Sequence, residues 1–429
     1  MYWSGRRASS APCPAVVRMA EREAGDVDSF AVVERALRTA APHALMDVVV
    51  KALRERHGAL DAELRMADYG MRTLQVVEPV PLSTEPLRIH DSPQGRALRA
   101  FEPLVLPDRE ADTVTVHLPV SVRGDRLGVL SVTFPGDADT RSLLPHLEEL
   151  CRALGHEITV AERDTDLYLR ARRATRLTLA AEMQWQLLPG RSLRRREFSL
   201  GAHLEPAYST TGDNVDWSVS AEHLTIAVAN GMGEGVEAAL LTNLAVSAMR
   251  NARRAGLGLA DQAALTDQAV YAQHRGRAHV STVLLRFELA TGEVEVVEAG
   301  SPRIWLRREG KVEPLVFDAQ LPLGMFEDTH YVTEHFRVRP GDRLLLATDG
   351  VHESPSPAGE PFGDQALARA LTASRLLPSA QVPRAVFHAL TEHRRGRPLE
   401  EDALIVCVDW YGPRTPSPGP ARGGRPAGG

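Results

Sequence analysis

The stretch Leu224–Thr242, LTIAVANGMGEGVEAALLT, decides the reading of this chain. Leu224–Ala229 is an apolar run of strand length, and three glycines follow within five residues (Gly231, Gly233, Gly235). The spacing of apolar residues then changes to that of a helix. A buried strand, a glycine turn and an apolar helix are therefore expected here. The glycines suggest a dinucleotide-binding turn, but their spacing differs from that fingerprint. No acidic residue stands about 20 positions on in the expected strand-end setting.

Other acidic segments lie far away in sequence. Upstream is Thr211-Gly212-Asp213-Asn214-Val215-Asp216. Downstream are Ala347-Thr348-Asp349-Gly350 and Glu401-Asp402-Ala403, each beside an apolar strand (Arg343–Ala347 and Ala403–Val408). Hydrolysis of a phosphate monoester is extremely slow without help. Paired divalent cations that activate water and clamp phosphoryl oxygens are the common solution. Hard cations require oxygen ligands, chiefly carboxylates and backbone carbonyls. Asp213, Asp216, Asp349 and Asp402 offer such carboxylates, and Gly231 and Gly350 permit close backbone approach.

Taken in order, these segments resemble the metal site of the PPM-type protein serine/threonine phosphatases, in the bacterial SpoIIE/RsbU-like branch. Leu177–Pro189 (LTLAAEMQWQLLP) resembles the opening of that catalytic domain, through Glu182 and Gln186-Leu187-Leu188-Pro189. Ala299-Gly300-Ser301-Pro302 and Leu321-Pro322-Leu323-Gly324 match further segments without catalytic roles. The likeness covers roughly residues 180–410. It implies an α+β fold with an α-β-β-α sandwich, and a site holding two Mn²⁺ or Mg²⁺ ions. It implies metal and catalytic roles for Asp213, Asp349 and Asp402, and a metal-binding carbonyl at Gly231. Asn230 stands where the family has an Asp that bridges the two metals, and Thr211 stands for the family's first glycine.

An amide offers one neutral oxygen where a carboxylate offers two charged ones. Asp213, Asp216 or Glu234 are candidates to compensate. Three outcomes stay open: a normal enzyme with altered metal loading, a slow enzyme, or a binding module without turnover. The substrate implied by the resemblance is a phosphoserine or phosphothreonine on an anti-sigma-factor antagonist.

Around this core, 429 residues require two or three domains. The expected organisation is a disordered leader (1–27), a sensor domain (28–162), a connecting helix (163–190), the phosphatase-like domain (191–411) and a disordered tail (412–429). Met19 offers an alternative start. Thr113–Val122 and Leu127–Phe134 read as strands joined at Arg123-Gly124-Asp125-Arg126, a turn rather than an adhesion motif. Helical spacing covers Phe30–His57, Ser92–Ala100 and Leu143–Ala161. This order of elements resembles a GAF domain, which implies a small-molecule ligand. Over Asp164–Leu188, Leu167, Ala171, Ala174, Leu177, Ala181, Trp185 and Leu188 recur at steps of three and four, as in one long helix. That helix either packs on its own domain or pairs in a parallel homodimer. A third reading makes ligand sensing by the GAF-like domain the whole function.

Composition excludes other classes. The net charge of −6 gives no reason to expect nucleic acid. Arginine supplies nearly all of the basic residues, Lys51 and Lys311 being the only lysines. Three separated cysteines, Cys13, Cys151 and Cys407, exclude a disulfide framework and suit a reducing cytoplasm. No apolar run reaches the roughly 18 residues of a membrane span, and no signal-peptide core is present. Arg194-Arg195-Arg196 reads as a solvated linker face, with docking of an acidic partner as the sharper reading. His223, His274, His352 and His388 lack ligand spacing.

Overall fold

The computed structural model describes residues 32–78, 84–173, 177–207 and 212–413. The expected leader, Thr211 and nearly all of the expected tail lie outside the described residues. The chain divides near residue 175 into two compact units.

The first unit carries a six-stranded sheet in the order β3-β2-β1-β6-β5-β4. Its strands are β1 (Asp61–Ala67), β2 (Thr73–Val76), β3 (Leu87–Arg88), β4 (Leu104–Asp108), β5 (Thr113–Val122) and β6 (Asp125–Pro135). Its labelled helices are α1 (Leu45–His57), α2 (Pro93–Ala100), α3 (Thr140–Ala161) and α4 (Leu167–Ala171). Alternation along β5 and β6 sends Val116, Leu118, Leu130 and Val132 into one core with Val49 and Leu53 of α1 and Leu154 and Ile158 of α3. Each such side chain contributes about 1.5–3 kcal/mol on full burial.

The second unit stacks two antiparallel sheets. One has the order β15-β12-β11-β10-β9, from β9 (Gly212–Val219), β10 (His223–Gly231), β11 (Val280–Glu288), β12 (Glu293–Ala299) and β15 (Glu334–Arg337). The other runs β14-β13-β16-β17-β8-β7, from β7 (Ser192–Arg194), β8 (Phe198–Glu205), β13 (Arg303–Arg308), β14 (Lys311–Leu315), β16 (Arg343–Ala347) and β17 (Ala403–Trp410). Phe287 of β11 stacks on Trp410 of β17 with ring centroids 6.0 Å apart, so the inner faces meet.

Helices cover both outer faces. Against the first sheet lie α6 (Gly235–Arg254) and α7 (Leu259–His274), through Leu241, Ala245, Met249 and Ala263 packed on Ala227, Ala229 and Leu284. Against the second lie α9 (Gly363–Ala373) and α10 (Val382–His393), through Leu367, Leu371, Val386 and Leu390. The expected α-β-β-α sandwich is what forms.

The single helix expected over 164–188 does not form. The chain makes α4 (Leu167–Ala171) in the first unit and α5 (Leu179–Leu187) in the second, with residues 172–173 and 177–178 non-helical. Thr178 starts the second helix, its hydroxyl accepting the amide of Ala181 at 3.2 Å. The regular apolar spacing arises because its residues serve two cores. Tyr168 and Ala171 enter the first unit's core, where Arg172 also lies over the Tyr69 ring. Ala181, Trp185 and Leu187 are buried in the second unit. Among the described residues, no helix is long and apolar enough to cross a membrane.

Candidate active site

The site begins with register. Asn230 of β10 lies directly opposite Asp213 of β9 and Ser281 of β11, so the three form one row across the sheet. Ala227 and Ala229 face the helices. The alternate position, 230, therefore faces the second sheet.

From that second sheet come Thr348 and Asp349, immediately after β16, and Asp402, immediately before β17. Thr348 donates its hydroxyl to Asp213 Oδ2 at 2.5 Å, and Thr348 Oγ1 in turn accepts the Leu404 amide at 3.1 Å. Asp349 opens the four-residue helix α8 (Asp349–His352). Its Oδ1 accepts the Gly350 amide at 3.0 Å and the Asn230 side-chain Nδ2 at 2.7 Å. Gly350 is required by close approach: a Cβ there would stand 2.0 Å from the carbonyl oxygen of Asp402. At Gly231 a Cβ would stand 2.3 Å from the Thr242 hydroxyl, which donates to the Gly212 carbonyl at 2.7 Å.

Asp213 is 1% exposed, and its Oδ1 has no hydrogen-bond partner. Burial, then the nearby negative charge of Asp402, pushes its carboxyl well above the ordinary range. Asp349 and Glu401 push the same way, and only the Thr348 hydroxyl opposes them. Glu401 is also raised, by burial first and then by Asp349, Glu353, Glu400 and Asp402.

Asp402 is held from two sides. Its Oδ1 accepts the Ala207 amide at 2.8 Å, and its Oδ2 accepts Gln184 Nε2. Gln184, buried on α5, also donates to the backbone carbonyl of Asp213 at 3.0 Å. One side-chain amide thus ties together two aspartates 189 positions apart in sequence.

An open cleft of about 240 Å³ is lined by Asn230, Gly231, Met232, Gly233, His279, Ser281, Asp349 and Glu401. Of the residues expected from sequence, Asn230, Gly231 and Asp349 line it. Asp213 and Asp402 are buried outside that lining and touch its neighbours. Sequence reasoning missed Glu401 and Ser281, although Glu401 stood beside Asp402 in the quoted motif. It also missed Gln184. The flanking Glu182 and Gln186, which carry the family resemblance of this segment, bond each other on the exposed side of α5 at 2.9 Å.

Asp216 does not belong to the site. It lies on the helix-facing side of β9, 2% exposed, in ion pairs with Arg250 and Arg253 at 2.8 Å each. It therefore cannot compensate for Asn230. Strand alternation is the reason: three positions separate Asp216 from Asp213, so they face opposite sides.

The donor chemistry fits a hard cation: an unpartnered buried carboxylate oxygen, carboxylate neighbours and an open cleft. Position 230 departs from that fit by presenting an N–H to Asp349. Among the described residues, no group of three or more His, Cys, Asp or Glu is gathered closely enough to hold a metal ion.

Residues 220–411 match the family model described as Stage II sporulation protein E (SpoIIE). Protein IcfG of Synechocystis sp. is 21% identical over 255 residues, covering 53% of this chain and 40% of IcfG. Phosphoserine phosphatase RsbP of Bacillus subtilis is 21% identical over 218 residues, covering 50% of this chain and 52% of RsbP. The chain thus spans about half the length, or less, of these curated relatives. The SiaA-PP2C domain of Pseudomonas aeruginosa superposes with a TM-score of 0.44 at 23% identity, covering 49% of this chain and 85% of that one. Over residues 220–411 the second unit of the chain is thus similar to the SpoIIE family.

Proposed function

We propose that the chain is a metal-dependent protein serine/threonine phosphatase. Its substrate in this reading is a phosphorylated regulatory protein of the anti-sigma-factor-antagonist kind, met in the cytoplasm. The first unit, read as GAF-like, controls it by binding a small molecule. The observation that carries the reading is the unpartnered, buried Oδ1 of Asp213, set among Asp349, Glu401 and Asp402 beside an open cleft.

Mn²⁺ or Mg²⁺ bound there would supply an activated water and charge for the phosphoryl oxygens. Asp213 and Asp349 would hold the cation by their carboxylates, and Gly231 brings its backbone to the cleft. Gln184 and the Ala207 amide fix Asp402. Thr348 fixes the rotamer of Asp213, so its free oxygen keeps one direction. The cleft admits a phosphorylated side chain, and the acidic walls require cation loading before a phosphate can enter.

A second reading has its own observation. The amide of Asn230 hydrogen-bonds Asp349, occupying a carboxylate oxygen that a cation would use. On that reading the domain is a docking module with weak or no turnover. The homodimer expected on a continuous 164–188 helix lacks such a helix to form on.

Mn²⁺-dependent hydrolysis of p-nitrophenyl phosphate by full-length wild type, Asn230→Asp and Asp349→Ala separates the readings. Wild-type turnover that disappears in Asp349→Ala supports the enzyme. A silent wild type whose activity appears in Asn230→Asp supports the docking module.

A further inference from the structure

Met232 lines the cleft, yet it is 51% exposed. Val236 (40%) and Leu240 (56%) stand one turn apart on α6, which begins at Gly235, three residues after Met232, and they form an exposed apolar stripe on that helix. Neighbouring α6 residues Ala238, Ala239, Leu241 and Thr242 are buried, so the stripe is the outer face of a helix whose core face is already satisfied. Val236 and Leu240 lie about 6 Å apart along the helix axis, at 1.5 Å per residue. Met232 itself is anchored at its backbone, where its amide donates to the His279 carbonyl at 3.0 Å.

A second exposed apolar residue stands beyond the Ser281 wall of the cleft. Leu321 is 45% exposed. The adjoining Pro322 packs on Gly300, which in turn lies against Ser281 of the cleft wall. The next residue, Leu323, pairs with Val280 at the start of β11. The cleft itself is polar, and exposed Glu234 and Glu237 flank the stripe.

We infer that Met232, Val236 and Leu240, with Leu321 beyond the Ser281 wall, form the docking surface for a folded phosphoprotein. Its phosphoserine or phosphothreonine enters the cleft, while an apolar patch rimmed by basic residues meets this surface. This rests on the phosphatase reading given above. Continuity is the argument for that occupant, because Met232 of the cleft lining is joined to the stripe by only the short turn 233–235. A cleft of about 240 Å³ accommodates little beyond the modified side chain. Affinity must therefore come from surface outside it, and stable protein interfaces bury about 800 Å² per partner. The acidic rim also repels an unloaded phosphate, so a partner held by apolar contact arrives without needing net attraction to its phosphate.

The test uses full-length protein and the double variant Val236→Asp/Leu240→Asp. Both side chains are exposed and outside the catalytic machinery. The probes are a purified, serine-phosphorylated anti-sigma-factor antagonist, a short peptide carrying its phosphoserine, Mn²⁺ alone, and p-nitrophenyl phosphate. The expected result is that Kd for the phosphoprotein rises at least tenfold, as loss of an interface hot spot does. Peptide binding, Mn²⁺ affinity by calorimetry and p-nitrophenyl phosphate turnover stay at wild-type values. An unchanged phosphoprotein Kd overturns the inference. Equal loss for peptide and protein overturns it too, since the damage then lies in the cleft. Sedimentation showing that the variant dissolves a wild-type dimer gives the surface to a second copy of this chain and overturns it as well. A wild type that binds no phosphoprotein overturns the phosphatase reading along with it.

Discussion

The side-chain Nδ2 of Asn230 donates to Oδ1 of Asp349 across 2.7 Å, joining the two sheets of the sandwich where metal-binding carboxylates are expected. An aspartate at position 230 turns this contact from attraction into repulsion. Asn230→Asp is therefore expected to lower the melting temperature of the metal-free protein, since the new carboxylate faces Asp349 with Asp213 and Glu401 nearby. Mn²⁺ reverses the sign. Affinity for Mn²⁺ is expected to rise by about 10–100-fold, at least the scale of supporting ligands around a metal. Saturating Mn²⁺ then raises stability by the logarithm of the loading. Calorimetric titration and melting curves with and without Mn²⁺ check both halves. Equal Mn²⁺ affinity in the two proteins sinks the prediction.

Gln184 offers the second test. Its Nε2 donates both to Asp402 and to the carbonyl of Asp213, and the residue is fully enclosed. Gln184→Leu keeps the bulk and removes both donors. Leaving those acceptors unpaired costs about 1–3 kcal/mol. The greater effect falls on geometry, because displacement near 1 Å at a catalytic group costs about 10²-fold in rate. Chemical denaturation and Mn²⁺-dependent turnover, measured side by side, should show a modest stability loss and a much larger rate loss. Comparable small losses in both make Gln184 a packing residue only.

These two residues show where the sequence was legible. The apolar run of β10, the glycine turn and α6 could be read because each depends on local pattern. So could the strand ends that carry Asp349 and Asp402, since an acidic residue beside an apolar strand is visible in one window. Strand β9 was less legible. Its sequence GDNVDWSV mixes buried Asp213 and Asn214 with buried Asp216, so hydrophobic alternation is erased by polar residues doing work on both faces. Which aspartate served the site depended on register with β10, where the partner of Asp213 is Asn230, 17 positions on, and that of Asp216 is Ala227, 11 positions on. Gln184 was hidden for the same reason, because its acceptor Asp402 lies 218 positions away. The long-helix expectation over 164–188 failed differently. Its spacing was real, but the residues divide between two cores, and Thr178 begins a new helix.

Asp216 tests the assignment of faces. Arg250 and Arg253 both hold its carboxylate, and Arg250 also donates to the Leu187 carbonyl at 2.7 Å. The cluster ties α5, β9 and α6 on the side away from the cleft. Asp216→Asn removes the charge and keeps the shape. Breaking a fully buried pair costs about 3–5 kcal/mol. The two arginines retain some solvent contact, so about 1–3 kcal/mol is expected here. Mn²⁺ affinity should not change. A fall in Mn²⁺ affinity that exceeds the stability effect would return Asp216 to the site.

His352 sets the acid side of the stability profile. It closes the short helix begun by Asp349, lies 6.1 Å from the Trp305 ring by centroid, and is 4% exposed with its Nε2 unpartnered. Burial, then the Arg303 guanidinium, brings its pKa down to about 4, while Asp364 opposes weakly. The folded state therefore resists protonation that the unfolded chain accepts near 6.5. Between those values the unfolded state binds more protons, so stability is complete above pH 6.5 and is lost as pH falls towards 4. The loss by pH 4.5 is about 2 kcal/mol from this residue alone. His352→Phe removes the titration and retains an aromatic neighbour for Trp305. Urea midpoints at pH 7 and pH 4.5 should therefore lie closer together in the variant than in wild type. If the two proteins lose stability in parallel on acidification, the buried carboxylates rather than His352 govern the acid limb.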